Sequence, residues 1–197
     1  MFVIVRHGNT FESGEPPRRI GARTDLPLTA KGRAQGAALG AHFAARGWAF
    51  ARVLVSPLRR TRETAQAIAD HLPGTPAAQP CDWLREIDHG PDENATEEAV
   101  LARIGAQALA DWDERGLPPS GWEVDAPARL AGWQALFEEP RGDDGPVLLV
   151  TSNGAARFAL LAAGLEAQAG MKLPTGGFGV IVPEPGGLRL ACWGERP

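Results

Sequence analysis

Three short apolar runs along the chain are rich in β-branched residues, and each is followed abruptly by polar residues. The runs are Phe2–Val5, Val53–Val55 and Val147–Val150. Continuous apolar runs of this length are typical of strands that are buried on both faces, as in a parallel sheet. Two further runs, at residues 178–182 and 188–192, flank a Pro-Gly-Gly turn and predict a closing β-hairpin.

Segments with a helical period lie between the predicted strands. The first helix is expected to begin after Thr29, a suitable N-cap, and to end at residues 46–47, where Arg-Gly is typical of a helix C-terminus. Its apolar stripe is predicted to comprise Ala34, Ala38, Leu39 and Phe43. The second helix is expected to begin with Ser56 as N-cap and Pro57 as its first residue, and its pattern extends to Leu72.

The rest of the chain continues this alternation. Helices are predicted over residues 97–112, 126–139 and 155–164, and residues 73–80 form a connector rich in Pro and Ala. Strands that alternate with helices indicate an α/β fold, here a three-layer α/β/α sandwich with a mostly parallel central sheet. Because no internal repeat or linker interrupts the pattern, we expect residues 1–197 to form a single domain.

Charge is unevenly distributed in a chain that is acidic overall. The formal net charge is -4 over 197 residues, which does not indicate a nucleic-acid or membrane partner. Arginines nevertheless cluster in two segments, with Arg18, Arg19 and Arg23 in one and Arg52, Arg59, Arg60 and Arg62 in the other. Local cationic pockets in an acidic protein favour a small anion as the ligand.

Cysteine usage and the N-terminal sequence bear on the compartment. Cys81 and Cys192 are too few for a disulfide framework and lack metal-ligand spacing. The chain starts with neither a basic region nor a long apolar run, and no window is apolar for long enough to span a bilayer. We therefore expect a cytoplasmic protein without a metal or another cofactor. The sequence does not indicate its oligomeric state.

The candidate chemistry lies where the buried strands end. The polar residues at these ends are Arg6-His7, Ser56 with Arg59 and Arg60, and Ser152-Asn153. If the strands are parallel neighbours, their carboxyl ends share one crevice, which is where ligands bind in open α/β sheets. Arginine forks match phosphate oxygens, and histidine can take up a phosphoryl group covalently. This equipment predicts a small phosphorylated substrate, or inorganic phosphate, as the ligand.

Four motifs follow one another in a specific order. They are Arg6-His7-Gly8-Asn9-Thr10, Asp25-Leu-Pro-Leu-Thr-Ala-Lys-Gly32, Ser56-Pro-Leu-Arg-Arg60, and Leu84-Arg-Glu86 with Gly90. Their order and spacing resemble the histidine phosphatase superfamily, also called the phosphoglycerate-mutase-like family. The matches extend over nearly the whole chain, and the combination is far more specific than Arg-His-Gly alone. The resemblance implies a phosphoglycerate-mutase-like fold.

The resemblance also implies roles for the matching residues. His7 would be the nucleophile that becomes phosphorylated, and Arg6 and Arg60 would hold the phosphate oxygens. Glu86 would be the general acid that protonates the leaving oxygen and later activates water. Asp88 is the second candidate for this acid by spacing.

The third buried strand departs from the family pattern. Family members usually have a His-Gly pair after this strand, whereas this chain has Asn153, which can donate through its amide but carries no charge. Losing a charged hydrogen bond costs on the order of 1–2 kcal/mol, or roughly tenfold to thirtyfold in rate. Asn9 is a further candidate for hydrogen bonding to phosphate. His89 is a candidate either for the missing imidazole or for packing beside the pocket, and Arg59 and Arg62 are expected to be flanking charges.

Three functions fit these residues. The leading hypothesis is a metal-independent phosphatase that hydrolyses a small phosphomonoester through a phosphohistidine at His7, with activity reduced by Asn153. The first alternative is a phosphoglycerate-type mutase, although such mutases tend to be longer. The second alternative is a phosphate-binding pseudoenzyme, which only Asn153 favours.

Overall fold

The alternation of apolar runs and helical segments folds into one six-stranded sheet with helices on both faces. A computed structural model describes residues 1–140, 145–166 and 170–197. The strands are β1 (Phe2–Arg6), β2 (Arg52–Val55), β3 (Gln79–Pro80), β4 (Val147–Thr151), β5 (Phe178–Glu184) and β6 (Gly187–Glu195). The helices are α1 (Ala30–Ala45), α2 (Arg59–Ala69), α3 (Glu97–Arg115), α4 (Ala126–Glu138) and α5 (Asn153–Ala163). The predicted α/β class with a mostly parallel sheet is confirmed.

The strand order explains how distant sequence motifs meet. The sheet runs β3-β2-β4-β1-β5-β6, in which the first four strands are mutually parallel and the hairpin β5–β6 is antiparallel. Arg6 pairs with Thr151, and Val55 pairs with Val150. The carboxyl ends of β1, β2 and β4 therefore lie side by side at one edge, where a ligand crevice forms in folds of this kind.

Side chains of β1 alternate between two apolar cores. Val3 and Val5 pack against α1 and α2, whereas Phe2 and Ile4 face the layer that contains α4 and α5. All four side chains are completely buried, as expected for a strand covered on both faces. Among the described residues, none of the helices is both long and apolar enough to cross a membrane.

Helix α1 has the predicted ends but a different buried face. Thr29 is the N-cap and accepts a hydrogen bond from the Gly32 amide. Ala34 and Ala38, which were predicted to face the core, are exposed, while Gly36 and Gly40 are buried. A Cβ atom at Gly36 would lie 2.7 Å from the Ala67 Cβ, and one at Gly40 would lie 2.6 Å from the Ile68 carbonyl oxygen. The glycines face inward because α1 and α2 pack backbone to backbone.

Helix α2 begins later than its sequence pattern predicts. Its first residue is Arg59 and its N-cap position is Leu58, so the assignment of Ser56 as the N-cap is wrong. The Arg59 amide donates instead to the Asp25 carboxylate, at 2.6 Å. A residue from a distant loop therefore caps this helix, and the local sequence could not indicate it. The predicted connector 73–80 also contains the short strand β3.

Candidate active site

His7 directly follows β1 and is held by its neighbours on both sides. Its amide donates to the Thr151 carbonyl at 3.0 Å, and its imidazole Nδ1 lies 2.8 Å from the Gly8 carbonyl oxygen. Because a carbonyl oxygen only accepts, Nδ1 must carry the hydrogen and Nε2 must carry the lone pair. This tautomer makes Nε2 the nucleophilic atom.

The surroundings of His7 keep its imidazole neutral. The side chain is buried, and burial is the largest cause that lowers the pKa of His7 well below its usual value. The positive charges of Arg60 and Arg6 lower it further. Since a protonated imidazole has no lone pair at Nε2, this environment preserves the nucleophilic form at neutral pH.

Arg60 is completely buried, and each of its guanidinium nitrogens has an acceptor. Nε donates to His7 Nε2 at 3.2 Å, Nη1 to the Thr24 carbonyl at 2.8 Å and Nη2 to the Gly21 carbonyl at 3.1 Å. Burial lowers the pKa of Arg60, and the negative charge of Glu86 opposes this change. The cation therefore contacts the ring nitrogen of His7 that carries the lone pair.

Arg6 reaches the same cavity from the end of β1. Its Nη1 donates to the Leu173 carbonyl at 2.7 Å, while Nε is buried and has no hydrogen-bond partner among the described residues. Burial lowers the pKa of Arg6 to about 10, and Glu86 partly offsets that effect. Since an unpaired buried N–H is costly, a bound anion would stabilise this side chain.

Glu86 lies at the N-terminus of α5. One carboxylate oxygen accepts from the Ile87 amide at 2.9 Å, and the other accepts from the Gly154 amide at 3.0 Å. A Cβ atom at residue 154 would lie 2.2 Å from Glu86 Oε1. Gly154 is thus required for the carboxylate to approach the helix. The Asn-Gly dipeptide is common in turns, so the sequence alone did not indicate this role.

Asn153 is the first residue of α5 and lines the cavity. Its Oδ1 atom accepts from the Leu173 amide at 2.9 Å. Because a backbone N–H only donates, this contact fixes which end of the amide is oxygen and leaves Nδ2 as the donor for a ligand. Leu173 thereby binds both Asn153 and Arg6 through its backbone.

Asn9 lines the cavity, but its amide is engaged within its own loop. Nδ2 donates to the Phe11 carbonyl and to Thr29 Oγ1. Both amide hydrogens are therefore in use, and a role for Asn9 in phosphate binding stays a prediction. In this conformation the side chain orders the loop that follows β1.

The cavity has a volume of about 250 Å³ and brings together most of the predicted site residues. Its described lining includes Arg6, His7, Asn9, Glu86 and Asn153. Arg60 lies behind His7 and contacts it directly. Three further cations stand around the cavity, namely Arg18, Arg19 and Lys172. Lys172 was missed because the segment around it carries no recognisable motif.

The remaining candidates have other partners. Asp88 pairs with Arg23 at 2.7 Å and is not among the described residues that line the cavity. His89 lines the cavity, and its ring packs edge-on against Trp122 with centroids 4.6 Å apart. Arg59 pairs with Glu63 at 2.6 Å.

Arg62 and the loop before α4 also lie away from the cavity. Arg62 is exposed on α2 and borders a different groove. Residues 115–125 contribute no described lining residue, whereas Trp112 and Asp113 near the end of α3 do.

The α/β fold places a histidine and two arginines at one cavity beside the carboxyl ends of parallel strands. Residues 2–196 match the family model of the histidine phosphatase superfamily (branch 1), and the chain belongs to this superfamily. The resemblance to this superfamily that the sequence motifs indicated is confirmed. Family membership supports a phosphatase-like or mutase-like role.

Two curated relatives are named as phosphoglycerate mutases, and one solved structure of similar fold is a phosphatase. A probable phosphoglycerate mutase GpmB of Erwinia tasmaniensis is 32% identical over 179 residues, covering 86% of this chain and 78% of the relative. A 2,3-bisphosphoglycerate-dependent phosphoglycerate mutase 2 of Gloeobacter violaceus is 29% identical over 167 residues, covering 82% and 74%. A mycobacterial glucosyl-3-phosphoglycerate phosphatase has a similar fold, with a TM-score of 0.78 at 23% identity, covering 100% of this chain and 99% of that one.

Proposed function

We propose that this protein is a metal-independent phosphatase that hydrolyses a small phosphomonoester through a phosphohistidine at His7. The observation that carries the proposal is the fixed tautomer of His7, whose Nε2 lone pair lies beside a buried guanidinium. Arg6, Glu86 and Asn153 line the same cavity. Together they supply a nucleophile, a cation for phosphate oxygens and a carboxyl group for proton transfer.

In the first step, His7 Nε2 attacks phosphorus and the bond from phosphorus to the leaving oxygen breaks. Arg6 and Asn153 donate to the phosphate oxygens, and Arg60 Nε transfers its hydrogen bond from Nε2 to one of these oxygens. Glu86 must be in its protonated form when the ester binds; it gives that proton to the leaving oxygen, so the alcohol departs uncharged. This step depends mainly on positioning and charge neutralisation, as is usual in phosphoryl transfer.

In the second step, water attacks the phosphohistidine. The Glu86 carboxylate takes a proton from the water as the new oxygen–phosphorus bond forms and the nitrogen–phosphorus bond breaks. Neutral His7 and inorganic phosphate result, which restores the starting state. Glu86 therefore acts as acid and then as base at the N-terminus of α5.

The test compares hydrolysis of a panel of phosphomonoesters by the wild type, His7→Ala and a matched control. His71→Ala is the control because His71 is exposed just after α2. We expect turnover and a covalent phosphoryl adduct, detected by intact mass, in the wild type and His71→Ala but not in His7→Ala. Turnover in the wild type no higher than in His7→Ala would contradict the proposal.

A phosphoglycerate-type mutase is the second candidate, because two curated relatives bear that name. It predicts that the protein interconverts phosphoglycerates faster than it hydrolyses them. Following both products in one reaction separates the two activities. Binding of inorganic phosphate without turnover of any ester would instead identify a phosphate-binding pseudoenzyme.

A further inference from the structure

A short turn at residues 21–24 lies between two buried charged groups of opposite sign. On one side is the carboxylate of Glu93, whose side chain is 8% exposed. On the other side is the guanidinium of Arg60, which is 0% exposed. Neither Glu93 nor the turn supplies a residue to the chemical steps described above, so this arrangement needs its own explanation.

The Glu93 carboxylate collects several hydrogen bonds from the turn. Oε1 accepts from the Gly21 amide at 2.8 Å, from the Arg23 amide at 3.2 Å and from Thr24 Oγ1 at 2.7 Å. Oε2 accepts from the His89 amide at 3.1 Å, and His89 Nδ1 lies 3.5 Å away. These bonds lower the pKa of Glu93 to about 2 despite its burial, so the group is a carboxylate at any working pH.

Arg60 binds the same two residues through their carbonyl groups. Gly21 donates its amide to Glu93 and accepts from Arg60 Nη2, and Thr24 donates its hydroxyl to Glu93 and accepts from Arg60 Nη1. A Cβ atom at residue 21 would lie 2.3 Å from Glu93 Oε2, so the turn requires glycine at this point. The orientation of Arg60 thus depends on carbonyl groups that Glu93 holds in place.

We propose that Glu93 is a positioning residue, which holds the 21–24 turn so that its carbonyls direct the Arg60 guanidinium onto His7 Nε2. The importance of Glu93 for catalysis rests on the proposed function. Its role in holding Arg60 in place does not. Glu93 forms no hydrogen bond with His7 among the described contacts, and its link to His7 runs through the 21–24 turn and Arg60. The negative charge of Glu93 also favours the buried cation.

Removal of Glu93 would change the pKa of His7 in opposite directions under two explanations. In one, Glu93 positions Arg60; in the other, only the negative charge of Glu93 acts on His7. The charged groups that act on His7 are Arg60 and Arg6, which lower its pKa. If Glu93 is removed and Arg60 moves away, the pKa of His7 must rise toward its ordinary value. If Glu93 acted only through its own negative charge, its removal would lower the pKa of His7. The sign of the change therefore separates the two explanations.

The experiment is a titration of His7 by imidazole nitrogen NMR in the unliganded protein, over the pH range in which the fold persists. It compares the wild type with Glu93→Ala, Glu93→Gln and Glu98→Gln, the last being an exposed control on α3. We expect the pKa of His7 to rise by about 1 in Glu93→Ala. A smaller rise is expected in Glu93→Gln, which keeps one acceptor oxygen, and none in Glu98→Gln.

An unchanged or lower pKa of His7 in folded Glu93→Ala would overturn the proposal, as would a rise of equal size in Glu98→Gln. If Glu93→Ala does not fold, Glu93→Gln carries the same test. In the Arg60→Lys background, Glu93→Gln should add no further rise; a full further rise would show that Glu93 does not act through Arg60. The titration of His7 uses no substrate, so it tests the role of Glu93 even if the protein has no phosphatase activity.

Discussion

The ends of β1 and β4 are paired neighbours at one edge of the sheet, yet they equip the cavity differently. β1 ends in the cation Arg6 and is followed by the imidazole of His7, against which Arg60 of α2 packs. After β4 come the neutral amide of Asn153 and the backbone amide of Gly154, which binds Glu86. The β1 side of the cavity is thus formed mainly by positively charged side chains and an imidazole. The β4 side is formed by a neutral amide and by the Glu86 carboxyl group, which lies at the N-terminus of α5.

This difference predicts that substitutions on the two sides of the cavity impair the reaction in different ways. Changes on the β1 side should alter the protonation of His7 and hence the pH dependence of the reaction. Changes on the β4 side should alter how a proton reaches the leaving oxygen, and hence the dependence on the leaving group. The following variants test whether the two sides are separable in this way, starting with the largest expected effect.

Arg60→Lys should cause the largest loss, about 10²–10³-fold in kcat/KM. Lysine keeps the charge but carries its donors on a single nitrogen, which cannot reach His7, Thr24 and Gly21 at the positions of the three guanidinium nitrogens and so would not hold the charge against His7 Nε2. Because the attacking imidazole must be neutral and Arg60 lowers its pKa, the acid limb of kcat/KM should lie below pH 6.5 in the wild type and move to higher pH in the variant.

The control for this variant is Arg62→Lys, an exposed position on the same helix. Its pH profile and rate should match those of the wild type. A pH profile of Arg60→Lys that is lower in rate but unmoved along the pH axis would show that Arg60 contributes only to binding phosphate. The contrast between the two sides would then lose its electrostatic basis.

Gly154→Ala should have an intermediate effect, a loss of about tenfold to a hundredfold. Its Cβ atom would lie 2.2 Å from Glu86 Oε1, so the carboxyl group must move away from the helix. The loss should resemble that of Glu86→Gln: large for alkyl phosphates and small for aryl phosphates, whose leaving groups need no proton. Measuring kcat/KM across a leaving-group series tests this.

Gly187→Ala is the matched control, because a Cβ atom there would meet no other atom within 4 Å. It should leave the leaving-group dependence unchanged. If Gly154→Ala slowed alkyl and aryl esters equally, the proton-transfer role of the β4 side would be contradicted.

The sequence predicted the framework better than the contacts that orient the site. Local patterns identified β1, β4 and the ends of α1, because burial on both faces and capping are encoded within a few residues. The same reasoning chose Ala34 and Ala38 as the buried face of α1. Helical period alone cannot show that α2 approaches so closely that only glycine fits between the backbones.

The candidate site shows the same difference between features that a local sequence pattern predicts and contacts that it does not. Residues with distinctive chemistry, such as His7 and Glu86, were predicted from their motifs, and both line the cavity, although their roles stay predictions. Leu173 could not, because it contributes only its backbone amide and carbonyl, to Asn153 and Arg6. Glu93 was also missed, since its partners in the 21–24 turn are about 70 residues away in the chain. Contacts made by backbone groups across long sequence separations leave no local pattern.

Asn153→His should have the smallest effect and the opposite sign, a gain of about tenfold in kcat/KM. A protonated imidazole would give the β4 side a charged donor and make it resemble the β1 side. A protonated imidazole has no acceptor atom, so the gain requires that the Leu173 amide, which donates to Asn153 Oδ1 at 2.9 Å, tolerate the loss of that partner. Asn153→Ala, which removes both the donor and this contact, should lose activity. If Asn153→His is no faster than the wild type, the cavity is already complete around a neutral amide, and the asymmetry between the strand ends is part of how the site works.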